Sequence, residues 1–224
     1  MSASPPKLAL RDRLAAAAWV LGVVQNLICQ LIAGAAWKTG YSWSRNNVSD
    51  LGNVLCQTWD EDHPRYVCSP LHAMVNLSFL TEGLLLALGV WLAAAIWRRG
   101  ASAVTARILI TLAGAGWVLA GLYPADVNLN IHLIGAVLIF FVGNAALLLI
   151  VRAAAPGTPR LLRALAGLGG LVGLTTAVSF LSGHYLGLGM GGLERFAAYP
   201  LEVWTIAAAV WLASGRRDRA VHHS

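Results

Sequence analysis

The sequence predicts an all-α integral membrane bundle of six transmembrane helices with both termini in the cytoplasm. Three observations carry this. Hydrophobic residues make up 58% of the 224-residue chain against 12% charged, whereas soluble domains carry roughly a quarter charged residues. Six apolar segments each reach the roughly 20 residues needed to cross a hydrocarbon core, and basic residues collect in alternate connections between them. The mean hydropathy of +0.66 agrees. The segments use nearly the whole length, which predicts one transmembrane domain over 14–213 between an N-terminal tail, 1–13, and a basic tail, 214–224.

The first segment, about 14–37, is longer than the roughly 7–15-residue core of a secretory signal and reads as a retained helix. The longest polar loop, 38–69, follows it and contains Cys56 and Cys68. These two are expected to form a disulfide if the loop faces an oxidising compartment, two reduced thiols being the alternative. The second segment, about 70–97, is predicted to be capped by Ser69 with Pro70 in its first turn. The third, 105–123, and fourth, 130–151, flank the turn YPADVNLN; the fifth, 161–182, and sixth, 194–213, flank GHYLGLGMGG. Small residues recur at helical spacing, among Gly135, Ala136 and Gly143 and among Gly169, Gly170 and Gly173, and permit close helix contact. Trp37, Tyr41 and Trp97 stand where aromatic belts form, while Trp91, Trp117 and Trp204 are expected to pack between helices.

Twelve of the sixteen basic residues fall on one side: Lys7, Arg11 and Arg13; Arg98, Arg99 and Arg107; Arg152, Arg160 and Arg163; Arg216, Arg217 and Arg219. Cytoplasmic connections retain an excess of Lys and Arg, so this side is cytoplasmic and the 38–69 loop lies outside. The net charge of +6 forms no stripe and does not indicate nucleic acid. Fourteen of the sixteen basic residues are Arg and Ala is abundant, the usage of a GC-rich bacterial genome, so a bacterial plasma membrane is the expected location.

Polar residues gather at the outer ends of the segments. His72, Asn76, Phe79 and Gly83 share one helical face, which points the histidine and the amide into the bundle. Asp50, Asp126, His132, His184, Glu194 and Arg195 reach the same level from other segments. Each also has a plain reading: an interfacial histidine, Asp50 capping a turn, Glu194 and Arg195 opening the sixth helix where its dipole favours an acid. The set lacks HExxH or paired CxxC spacing. The GLGMGG stretch follows no strand and fails as a dinucleotide loop; a loop that needs positive φ is favoured over amides that, with Arg195, hold a lipid phosphate. Glu82 and Glu202 sit mid-span, where an ionised, unpaired carboxylate is expensive, with Asn26, Gln30 and Asn144 as polar company.

The ordered stretches VSDLGN, YVCSPLHAMVNLSF, GLYPADVN with His132, and GLGMGGLERFAAYP resemble a bacterial and archaeal membrane family known as domain of unknown function 998, over about residues 15–213. The resemblance implies a bundle of about six helices and points to Ser49, Asp50, His72, Asn76, His132, Glu194 and Arg195. Where that family shows a PEN-like turn this chain has PAD, which weakens the assignment of Asp126. A more distant likeness to eukaryotic proteins of lipid remodelling points toward a lipid ligand.

Three functions follow as expectations. The first is an enzyme acting on a lipid or isoprenoid from the extracytoplasmic face, with Asp50, His72, Asn76, His132 and Glu194 as catalytic groups and Ser49, Asp126, Arg195, Glu82 and Glu202 contacting substrate. Here His72, His132 and Asp50 would hold a divalent metal such as zinc, or the same groups would serve as acid and base. The second is a membrane terpene cyclase started by a protonated Glu82 or Glu202, with Trp faces stabilising cations. The third is a non-catalytic lipid-binding or assembly protein. A transporter ranks below these for want of an inverted repeat; protein partners stay open.

Overall fold

A computed structural model describes residues 10–59 and 64–214. Lys7, Arg216, Arg217 and Arg219, counted above toward orientation, lie outside the described residues, as do most of the two predicted tails.

The apolar runs form helices as their composition requires: α1 (Leu10–Ala35), α2 (His72–Leu92), α3 (Ala101–Leu122), α4 (Leu129–Val137), α5 (Asn144–Ala153), α6 (Arg160–Leu181), α7 (Gly189–Ala198) and α8 (Pro200–Ala213). A π-helical turn, Leu138–Gly143, joins α4 to α5, so that Leu129–Ala153 is one continuous span. Among the described residues five spans are long and apolar enough to cross a membrane, and α7 with α8, bent by 43°, is a sixth when the pair is taken as one broken span. The chain is thus a multi-pass, all-α membrane bundle. Successive spans are neighbours and α8 packs back on α1 and α6, closing the ring.

Apolar burial does little to drive helices together where lipid is equally apolar, so close packing and interhelical hydrogen bonds hold such a bundle. Glycine pairs provide the approach: a Cβ on Gly114 would stand 2.6 Å from Gly83 O, and one on Gly116 2.6 Å from Gly135 O. Trp19 and Trp204, both fully buried, meet edge to face at 5.9 Å. Each indole N–H donates to a carbonyl, of Leu86 and Leu162 respectively.

The two ends of the ring differ. At the arginine-rich end the 93–100 and 154–159 connections pair, with Arg98 N donating to Ala153 O at 3.0 Å and Ala155 N to Ile96 O at 2.7 Å. The Arg163 guanidinium donates to the carbonyls of Val151, Ala154 and Ala155, adding donors where α5 ends and its carbonyls run out of helical partners; Ala155 O also accepts from Thr158 N. The opposite end carries a 3₁₀ turn, Ser49–Gly52, and a hairpin of β1 (Gln57–Trp59) and β2 (Arg65–Val67), paired antiparallel with Thr58 opposite Tyr66. Cys56 and Cys68 form a disulfide across the base of this hairpin.

Several local expectations differ from the structure. Ser69 does not cap α2; its hydroxyl donates to Leu51 O at 2.6 Å, and the helix starts at His72. The last span begins at Gly189 rather than at residue 194, so Glu194 and Arg195 occupy its second turn. It breaks at Pro200, the first residue of α8, because proline brings no N–H to continue the preceding helix. Trp37 and Trp97 are buried rather than set in an aromatic belt, whereas Trp91 is 42% exposed, with the Arg107 guanidinium 4.1 Å above its ring.

Candidate functional site

The segment from Tyr41 to Gly52 folds over the hairpin end of the bundle as a lid, held from four elements. From α7, the Glu194 carboxylate accepts from Val48 N. Arg195 donates to the carbonyls of Trp43 (2.8 Å) and Asn46 (3.2 Å) and to the Tyr41 hydroxyl, with its guanidinium 4.6 Å from the centre of the Trp43 ring. From β2, Arg65 grips both oxygens of Asp50, at 2.7 and 2.9 Å, while Asn47 N donates to the same carboxylate. From α2, Asn76 Nδ2 donates to Gly52 O at 2.9 Å. From the α3–α4 turn, Asp126 accepts from Leu55 N at 2.6 Å, just past the lid.

Glycine makes the α7 contact possible. Gly191 N donates to Ser44 O at 2.8 Å, and a Cβ on Gly191 would overlap the carbonyl of Asn46. Gly189, with φ +74°, turns the chain into the helix against Ser44. The glycine-rich stretch is therefore partly the expected positive-φ loop and partly a helical turn pressed against lid backbone. Tyr41, half-buried between these layers, has its hydroxyl pKa held above the ordinary 10.0 chiefly by burial, with the Arg195 charge opposing.

Beneath the lid lies a water-sized cavity of about 30 Å³, lined among others by Ser49, His132, Glu194, Phe79, Trp117 and Phe140. His132 is 8% exposed, and its Nδ1 lies 3.0 Å from Tyr123 O. A carbonyl only accepts, so Nδ1 carries the hydrogen and a neutral ring keeps its lone pair on Nε2. The π-helical turn supplies Ile139 and Phe140 to the wall, and Asn144 just after it donates to Phe140 O and Ala197 O, tying that wall to α7.

The residues named from the sequence therefore divide. Ser49, His132 and Glu194 meet at the cavity, whereas Asp50, Asn76, Asp126 and Arg195 hold backbone. His72 is half-buried with Nδ1 3.0 Å from Ser69 O, and His184 is exposed, beside Ser182 O. No group of three or more His, Cys, Asp or Glu among the described residues is arranged to hold a metal ion. Asp50 is turned to Arg65, and His72, His132 and Asp50 are not gathered as such a group. Sequence reasoning did not single out Tyr41, Asn46, Asn47 or Arg65 for the lid; no spacing rule links them to α7.

Two larger concavities flank this site. One of about 520 Å³ opens at the hairpin end between Arg45, Arg65, Tyr66, Tyr185 and Met190. The other, about 410 Å³, is an apolar groove along α6 and the α7–α8 bend, lined by Leu165, Leu168, Val172, Phe196, Tyr199 and Val203, with Arg195 at its margin.

Deeper in the bundle, Glu82 and Glu202 are 1% and 3% exposed. Glu82 Oε2 and both oxygens of Glu202 accept no hydrogen bond among the described residues. Nearby, Asn26 Oδ1 accepts from Ser78 Oγ and from Gln30 Nε2, each at 3.1 Å, and Tyr199 OH donates to Gln30 Oε1 at 2.5 Å.

No curated protein and no solved structure matches the chain. A family match covers residues 20–211, which include the lid, the cavity and the buried acids. With the six-span bundle and the four sequence stretches all inside or at the edge of the lid and cavity, the chain belongs to the family described as Protein of unknown function (DUF998).

Proposed function

We propose that the chain is a membrane-embedded enzyme acting on a lipid or isoprenoid from the extracytoplasmic face, by acid–base chemistry at His132. The observation that carries this reading is the water-sized cavity that His132 shares with Ser49 and Glu194. A general base needs its lone pair within reach of the proton it takes, and the hydrogen bond from Nδ1 to Tyr123 O leaves Nε2 for that role. Glu194 fixes the Val48 backbone and thereby the position of Ser49 at the cavity edge. The apolar groove along α6 and the α7–α8 bend suits a hydrocarbon chain. No metal step is invoked.

The disulfide supports an oxidising compartment at the hairpin end, and the arginine excess supports a cytoplasm at the other; a bacterial plasma membrane satisfies both. Single-cysteine labelling checks this: with native cysteines replaced, Ser44→Cys reacts with an impermeant maleimide on intact cells and Arg99→Cys does not.

The enzyme reading is tested by incubating purified protein in nanodiscs with a total lipid extract and following products by mass spectrometry. Wild type converts at least one lipid class and His132→Gln does not, at an unfolding midpoint close to wild type. No conversion of any lipid or polyprenyl substrate by wild type overturns the reading.

A second, non-catalytic reading as a lipid-binding or assembly protein is favoured by the number of polar groups that Asp50, Asn76, Glu194 and Arg195 devote to lid backbone. It expects His132→Gln to alter stability alone. The cyclase reading gains no support, since Glu82 is tightly enclosed: a Cβ on Gly22 would stand 2.9 Å from its Oε2.

A further inference from the structure

Most donors around Glu82 and Glu202 are engaged elsewhere. Ser78 Oγ donates to Asn26 Oδ1 and Val75 O, Thr205 Oγ1 to the main-chain carbonyl of Glu202, and the indoles of Trp19 and Trp204 to Leu86 O and Leu162 O. One neighbouring donor, Asn26 Nδ2, is buried without a partner. It lies one turn along α1 from Gly22, which abuts Glu82, just as Ser78 lies one turn along α2 from Glu82. Two buried carboxylates, with three oxygens lacking any donor among the described residues, carry a desolvation cost. Protonation of a carboxyl removes that cost.

We propose that Glu82 and Glu202 are carboxyls within the bilayer that bind exchangeable protons. The other titratable groups facing the pair are few. Tyr199, at the head of α8, stands one turn from Glu202 and feels its charge; Cys29 of α1 approaches Ser78; Glu194 and Arg195 act from further toward the hairpin end. Tyr199, Gln30 and Asn26 form a hydrogen-bonded line from the α7–α8 break toward the acids, a route by which protons enter from the hairpin side. This site stands apart from the cavity at His132 and does not rest on the enzyme reading.

The test is infrared spectroscopy of the full chain in nanodiscs at about pH 7. Wild type shows a protonated-carboxyl C=O stretch that shifts in D₂O and is lost in the Glu82→Gln/Glu202→Gln double variant. Identical spectra for wild type and double variant overturn the proposal, and so does a band that stays unshifted after prolonged D₂O exposure. A measurement on wild type alone guards against misfolding of the variant. Dicyclohexylcarbodiimide, which attacks protonated carboxyls from the lipid phase, yields an adduct mapped to Glu82 or Glu202, less at raised pH. An adduct at neither residue overturns the proposal, as does protection by sodium at constant pH, which makes the pair a metal-cation site instead.

Discussion

The carboxylate of Glu194 accepts a hydrogen bond from the backbone amide of Val48, joining positions 146 residues apart. The same helical turn sends Arg195 to Trp43 O, Asn46 O and the Tyr41 hydroxyl. Adjacent residues of α7 thus grip opposite parts of one lid, the acid taking an N–H and the base taking carbonyls. The lid forms the roof of the cavity at His132, so α7 sets the shape of that cavity through backbone it does not own.

Removing the acid leaves Val48 N buried without an acceptor. Hydrogen bonds to charged groups contribute about 1.5–3 kcal/mol, so Glu194→Ala is expected to destabilise by about 2 kcal/mol and Glu194→Gln, which keeps an acceptor oxygen, by less. Thermal unfolding in nanodiscs measures both. Limited proteolysis of the 38–69 loop should speed up in the same order, and equal stability of wild type and Glu194→Ala would remove α7 as the anchor of the lid.

Gly191 tests the contact from the backbone side. A Cβ there overlaps Asn46 O, whereas Gly157 has nothing within 4 Å of the same atom. Overpacking of this kind costs about 1–3 kcal/mol, so Gly191→Ala lowers the unfolding midpoint while Gly157→Ala leaves it near wild type. Equal midpoints for the two variants would mean that the lid moves aside at little cost.

The disulfide admits a direct count. Three cysteines are present, and Cys29 is the one outside the Cys56–Cys68 bridge. Denatured protein treated with a polyethylene-glycol maleimide should carry one adduct without reductant and three after reduction. The bridged residues are 12 apart, a loop whose closure contributes about 3 kcal/mol in the chain-entropy picture. Cys56→Ser/Cys68→Ser is therefore less stable under oxidising conditions and equal to wild type under reducing ones.

The spans were legible because each apolar run is long enough to be a helix that lipid accepts, and the runs lie in the sequence without ambiguity. Glu82 and Glu202 were legible for the converse reason: a carboxylate in such a run demands an explanation. The pairs that build the lid were not, since nothing in local periodicity ties Asp50 to Arg65 or Asp126 to Leu55. His72 and His132 both reach the hairpin end, as their helices required, and each ring places Nδ1 at a nearby carbonyl that no spacing rule announced. The break at Pro200 had its signal in AAYP, but an apolar run continuing past the proline concealed it.

Tyr41 gives the lid a pH limit. Burial holds its pKa above the ordinary 10.0, so between that value and the folded pKa the unfolded chain has lost the phenolic proton and the folded chain has kept it. Stability falls with pH wherever the unfolded state binds fewer protons, so this contribution is complete below about 10 and declines above it. Tyr41→Phe cannot ionise, and its stability curve should be flatter on the alkaline side. At neutral pH the variant should be less stable by about 1 kcal/mol, since the hydroxyl donates to Asn47 O at 2.8 Å and accepts from Arg195. Unfolding midpoints from about pH 8 to 11 separate the two effects. If the wild-type and Tyr41→Phe curves run parallel throughout, the ring at position 41 is open to water and the lid does not seal the bundle.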